Sequence, residues 1–145
     1  MDRQQIALIE WECQQLLNRI VMLMDANEWE QLAALYTDDG VLFRPSDASH
    51  GVEGREAILA SFLARPPRAS CHMVSNAVFD VQSENRVIAR SRVWLVAGDA
   101  DAPQPAPAGS KLAIGSFVDT LVRVEDAWRI QLRKGGIELM YDYAG

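Results

Sequence analysis

At 145 residues the chain has the length of one ordinary domain, and 49% hydrophobic with 23% charged residues sets it apart from disordered and fibrous classes. A net charge of −6 with no basic run argues against a nucleic-acid partner, because phosphate binding needs a clustered basic face. No stretch approaches the roughly 20 apolar residues of a membrane span. The start Met-Asp-Arg-Gln-Gln also lacks the basic-then-apolar pattern of an export signal, so the expected setting is cytoplasmic, with no membrane partner.

In chain order, Ile6, Ile9, Cys13, Leu16, Leu17, Ile20, Leu23 and Met24 follow the three-and-four spacing of one helical stripe. With Asp2 as N-cap, this predicts a first helix from about Arg3 to Ala26. Asn27 and Glu30 resemble a capping box for a short second helix that buries Trp29, Leu32, Ala33 and Tyr36. Thr37-Asp38-Asp39-Gly40 should stop it, Val41 to Phe43 should extend, and Pro45 to His50 should be a loop. A third helix is expected from about Arg55 to Ala64, with Ile58, Leu59, Phe62 and Leu63 inward, until Pro66-Pro67 ends it.

From there the periodicity turns extended. Ser70 to Val81, Arg86 to Val96, Lys111 to Val124 and Trp128 to Leu132 are rich in valine, isoleucine and aromatics and read as strands. Ser83-Glu84-Asn85 and Glu125-Asp126 are hairpin turns, and Gly98 to Ser110, with three prolines, is a longer loop: a lid, an oligomer contact or a plain solvated loop. Gly135-Gly136 is expected to interrupt the last strand, leaving Ile137 to Tyr143 as a further edge or a crossing to a partner. Three helices followed by four long antiparallel strands make an α+β fold, a strongly curved sheet with helices on one side.

The most chemically capable stretch is Cys71-His72-Met73-Val74-Ser75-Asn76. Alternation puts His72, Val74 and Asn76 on one face, with His72 and Asn76 about 13 Å apart along the strand. Histidine's ordinary pKa of about 6.5 lets it take and return a proton near neutrality. The strand alone leaves two readings open, a structural histidine bonded to a neighbouring strand or a proton-transfer group. Cys13 and Cys71 are expected to be reduced and buried, and with His50 and His72 the only histidines, no metal site is expected.

Several segments in this order resemble the nuclear-transport-factor-2-like superfamily and its SnoaL-like branch. The carriers are Asp25 followed by Asn27-Glu28-Trp29, Leu35 to Gly40, Gly54-Arg55-Glu56-Ala57-Ile58, His72 to Asn76, and Gly115-Ser116-Phe117-Val118-Asp119 before Trp128-Arg129-Ile130. The resemblance implies a cone of helices and bent sheet enclosing a pocket, as one SnoaL-like domain over residues 1–145. In scytalone-dehydratase-like members an acid ending the first helix faces a histidine on the first long strand; here these fall on Asp25 and His72. Two other features of those members are absent: no histidine occurs between Lys111 and Val124, and Val21 stands where they tend to carry a tyrosine.

The resemblance thus implies cofactor-free proton transfer by a lyase, isomerase or cyclase, with a carboxylate fixing the histidine tautomer. The substrate would be a cyclic or aromatic carbonyl or hydroxyl compound. Tyr36, Phe43, Trp94 and Phe117 would be apolar walls, and Asn76 and Arg133 polar contacts, with Arg90, Arg92 and Ser116 as further candidates. Such arginines equally pair with Asp119, Asp80 or Glu138. A homodimer or homotrimer is expected. Met24-Asp25, Phe43-Arg44-Pro45 and His72 to Asn76 also resemble β subunits of aromatic-ring-hydroxylating dioxygenases, which would imply an assembly role beside an iron-bearing α subunit. A small-ligand-binding module without chemistry is a third reading.

Overall fold

The computed structural model describes residues 1–143. Helix α1 spans Arg3–Asp25 and opens on a capping box: the Asp2 carboxylate accepts the Gln5 amide and the Gln5 side chain accepts the Asp2 amide, each at 2.8 Å. Its apolar stripe buries Ile9, Cys13, Leu16, Leu17, Ile20 and Val21, each large side chain contributing about 1.5–3 kcal/mol. Burial pushes the Cys13 thiol up to about 12, so it behaves as a core side chain.

Asn27 does not cap the second helix. It adopts a left-handed φ of 56° and ends the first. The Glu28 amide reaches back to the Leu23 carbonyl at 3.0 Å and the Asn27 amide to that of Met24 at 3.1 Å, a Schellman arrangement that holds Asp25 in the final turn. Helix α2 is the short Trp29–Ala33, with Glu28 at its N-cap.

Tyr36 does not continue that helix but begins strand β1, Tyr36–Phe43, so Thr37 to Gly40 is strand with an irregular register and not a stop. The expected loop contains a 3-10 turn over Pro45–Asp47 and is followed by strand β2, Gly51–Glu53. Helix α3, Arg55–Leu63, buries Ile58 and Phe62 but leaves Leu63 outside. Arg55 ties it to β1, donating to the Tyr36 carbonyl through Nε at 3.0 Å and pairing with Asp38 at 2.7 Å.

Four long strands follow: β3 Ala69–Ser83, β4 Arg86–Gly98, β5 Ala108–Val124 and β6 Ala127–Asp142. The six-stranded sheet runs β2-β1-β6-β5-β4-β3, antiparallel except where β1 lies parallel to β6. The helices pack on one side, and Leu17, Ile20, Leu32, Ile58, Leu121 and Ile130 lie fully buried in the core between the layers. Glu12 joins α1 to the sheet, accepting from the Trp128 indole at 2.8 Å and Arg123 at 2.5 Å. Cys71, expected to be buried, is exposed. No helix among the described residues is long and apolar enough to cross a membrane.

Gly135-Gly136 does not interrupt β6. Pairing runs through Phe117↔Gly135 and Ser116↔Gly136 to Lys111↔Asp142, with a bulge near Glu138. The glycine serves close packing: a Cβ on Gly135 would lie 2.6 Å from the Pro45 ring and 2.9 Å from that of Phe117. Overpacking of this kind costs about 1–3 kcal/mol. Gly135→Ala is therefore expected to lower the melting temperature by roughly 3–10 °C in a thermal scan, and an unchanged midpoint would contradict this packing.

Candidate functional site

The last turn of α1 and the start of β3 meet at one carboxylate. Oδ1 of Asp25 lies 2.6 Å from Nδ1 of His72 and accepts the Ser70 hydroxyl at 2.9 Å; Oδ2 accepts the backbone N–H of His72 at 2.8 Å. This works because β3 is the edge of the sheet: an N–H facing away from β4 has no ladder partner, and Asp25 supplies one. A side chain held at both its backbone and its ring has little freedom left. The His72 side chain is only 9% exposed.

An ionised carboxylate accepts only, so Nδ1 carries the proton and Nε2 is left as the basic nitrogen. Burial lowers the His72 pKa and the charges of Arg68 and Arg65 add to this, while the hydrogen bond and charge of Asp25 oppose it. The outcome is a neutral ring at neutral pH with a lone pair available.

His72 lines a cavity of about 260 Å³. Met24, Leu42, Phe62, Val93, Leu95 and Phe117 supply most of its apolar wall. Tyr36 and Arg133, both 1% exposed, supply polar wall. Burial pushes the Tyr36 hydroxyl up to about 12, against the pull of the nearby Arg133, so it stays a donor. Arg133 is held by Asp119, with Nε to Oδ1 at 3.0 Å and Nη2 to Oδ2 at 3.3 Å, and its guanidinium lies 3.7 Å over the Phe117 ring.

Five of the expected site residues thus border the cavity or hold a group that does: Tyr36, His72, Phe117 and Arg133 line it, and Asp25 grips His72 from behind. Three do not. Phe43 faces away, because β1 alternation turns Leu42 inward and leaves the Phe43 ring over Gly51. Trp94 lies on the outer face, 40% exposed, since Val93 and Leu95 are the inward residues of β4. Asn76 sits in a bulge between Ser75 and Val78 with a φ of 52°, which breaks the alternation counted from His72 and exposes it. Arg92 pairs with Glu138 outside, and Arg90 is exposed. Ser116 pairs with Gly136 and does not line the cavity. The segment Gly98 to Ser110, a candidate lid, contributes no lining residue.

The sequence reading missed Arg44, Arg65 and Arg68, which also line the cavity. The Arg65-Pro66-Pro67-Arg68 run was the available signal, because prolines hold two nearby cations in a defined path.

The profile of the SnoaL-like domain matches residues 5–134. The chain belongs to the SnoaL-like family. No curated protein matches it in sequence. Among solved structures, this SnoaL-like chain is similar to a putative scytalone dehydratase from Novosphingobium aromaticivorans, at 23% identity over 98% of this chain and 92% of that one, with a TM-score of 0.81. It is also similar to a type 2 hexachlorocyclohexane dehydrochlorinase, LinA, at 15% identity over 99% and 95%, TM-score 0.81. A third likeness is to ActVI-ORFA from Streptomyces coelicolor, at 18% identity over 90% and 98%, TM-score 0.72. At these identities the likenesses establish the fold alone, a cone-shaped α+β architecture.

The lowered pKa of His72 has a consequence for stability. As pH falls through the ordinary value of 6.5, the unfolded chain takes up the proton before the folded one does. Stability is complete above 6.5 and is lost toward the lower folded pKa, at up to about 1.4 kcal/mol per pH unit. Denaturant unfolding at about pH 7.5 and about pH 5.5 should show a larger loss for the native chain than for His72→Gln; equal losses would contradict a buried, neutral His72.

Proposed function

We propose that this SnoaL-like protein is a cofactor-free proton-transfer enzyme, a lyase, isomerase or cyclase acting on a cyclic or aromatic carbonyl or hydroxyl compound. The observation that carries the reading is the Asp25–His72 contact of 2.6 Å at the wall of a mostly apolar cavity. Nε2 of His72 takes a proton from the carbon beside a carbonyl, and the C–H electron pair becomes the enolate double bond. In a dehydration, the same N–H then protonates the departing hydroxyl as its C–O bond breaks and water leaves. Asp25 keeps Nδ1 protonated and stabilises the imidazolium between the two steps. Tyr36 and Arg133 provide donor groups for the developing oxyanion in a cavity lined mostly by apolar side chains. Two structural neighbours are named as a dehydratase and a dehydrochlorinase, which supports a lyase.

Self-association as a dimer or trimer belongs to the same proposal. Met73, Trp94, Ile114 and Leu139 form a continuous cross-strand row on the outer face, and Met73, Trp94 and Leu139 are 51%, 40% and 63% exposed, an apolar row for a second copy to cover. A monomer at sedimentation equilibrium would remove that part, and co-purification with an iron–sulfur α subunit would favour the dioxygenase-subunit role instead.

The chemistry is tested by offering ring ketones and hydroxy ketones in heavy water and following deuterium incorporation and loss of water by NMR. For any compound the native protein turns over, His72→Gln should lower the rate by about two to four powers of ten, with Asp25→Asn changing it in the same direction. A rate that survives both substitutions would end the assignment.

A further inference from the structure

The charge around the cavity exceeds what proton transfer at His72 uses. Arg44, Arg65 and Arg68 line it alongside Arg133, and Arg65 and Arg68 also line an adjoining hollow of about 310 Å³ that shares Met24 with the first. Neither hollow has an Asp or Glu in its lining, in a chain with 20 acidic and 14 basic residues. Of these four arginines, only Arg133 is paired with an acid among the described residues, Asp119.

The other three are unsatisfied to different degrees. Arg44 donates to Ser61 at 2.8 Å and lies 4.7 Å over the Phe62 ring, yet its Nε is buried without a hydrogen-bond partner. Arg65 lies 5.8 Å over the same Phe62 ring. The side chains of Arg65 and Arg68 make no hydrogen bond or ion pair with another described residue. Burial, then the charges of Arg68 and Arg44, bring the Arg65 guanidinium down to about 10. Three guanidinium groups gathered in a partly desolvated place repel one another, and an anion removes that repulsion while satisfying the free N–H groups.

We infer that the substrate is a small organic acid whose carboxylate is held by Arg44, Arg65 and Arg68. The planar two-oxygen edge of a carboxylate matches a guanidinium edge. The apolar wall formed by Phe62, Leu95 and Phe117 then takes the ring, which leaves its reacting carbon toward His72. This rests on the proton-transfer reading for what happens to the substrate, but the anion preference is a binding property and stands or falls without turnover.

Calorimetric titration with benzoate against benzamide, and 2-naphthoate against 2-naphthamide, isolates the charge at constant shape. At low salt at least one acid should bind about tenfold or more tightly than its amide. That preference should shrink in Arg65→Met and Arg68→Met and on raising salt, and survive in part in Arg68→Lys. Both Arg65 and Arg68 are half-exposed, so these variants should keep native circular dichroism. His72→Gln should retain the preference while losing turnover, which separates failure of this inference from failure of the catalytic reading. Acids that bind no better than their amides, a preference that persists in the Arg65→Met/Arg68→Met double variant, or phenyl phosphate binding more tightly than benzoate would each overturn the carboxylate assignment.

Discussion

The arrangement depends on a single carboxylate that serves three donors. Asp25 accepts the Ser70 hydroxyl, the His72 backbone amide and the His72 ring. An acid at a helix C-terminus is opposed by the helix dipole, so the turn alone would not favour it there. What offsets that cost is the set of charge-assisted hydrogen bonds to an edge strand with an N–H to spare. One interaction therefore closes the cone at its helix end and orients the imidazole at the cavity wall.

The rest of the site follows from how the sheet meets that point. Alternation along β4 and β1 turns Val93, Leu95 and Leu42 toward the same hollow, while Gly115 and Gly135 remove side chains where β5 and β6 crowd against one another and against Pro45. The buried Arg133–Asp119 pair sits in the same wall. Breaking such a pair by removing one partner is costly, by about 3–5 kcal/mol, so it holds Phe117 and the cavity wall in register besides supplying charge.

Much of this was legible in the residues and some was not. The helical stripe, the four strands and the fold class follow from periodicity, which reports burial directly. Asp25 and His72, which meet across 47 positions, were paired only through the family resemblance, because no local pattern encodes a contact of that separation. Several of the readings that failed share a cause: a tertiary contact changed the local rule. The bulge at Asn76 reversed the alternation, Tyr36 was drawn into a strand beside β6, and the glycine pair that resembled a break was a close approach. Trp94 and Phe43 were assigned by residue type when strand parity decided their face. The arginines were invisible as a cluster because they come from β1's end and the segment after α3, and nothing in one sequence shows that these adjoin.

The most direct measurement is the protonation of the His72 ring itself, read from its nitrogen-15 and carbon-bound proton correlations across a pH titration. The account predicts a neutral ring at pH 7 with the proton on Nδ1, titrating below the ordinary value of 6.5. A ring protonated on Nε2 at neutral pH, or one still charged well above 6.5, would mean that Asp25 does not hold His72 as a base facing the cavity.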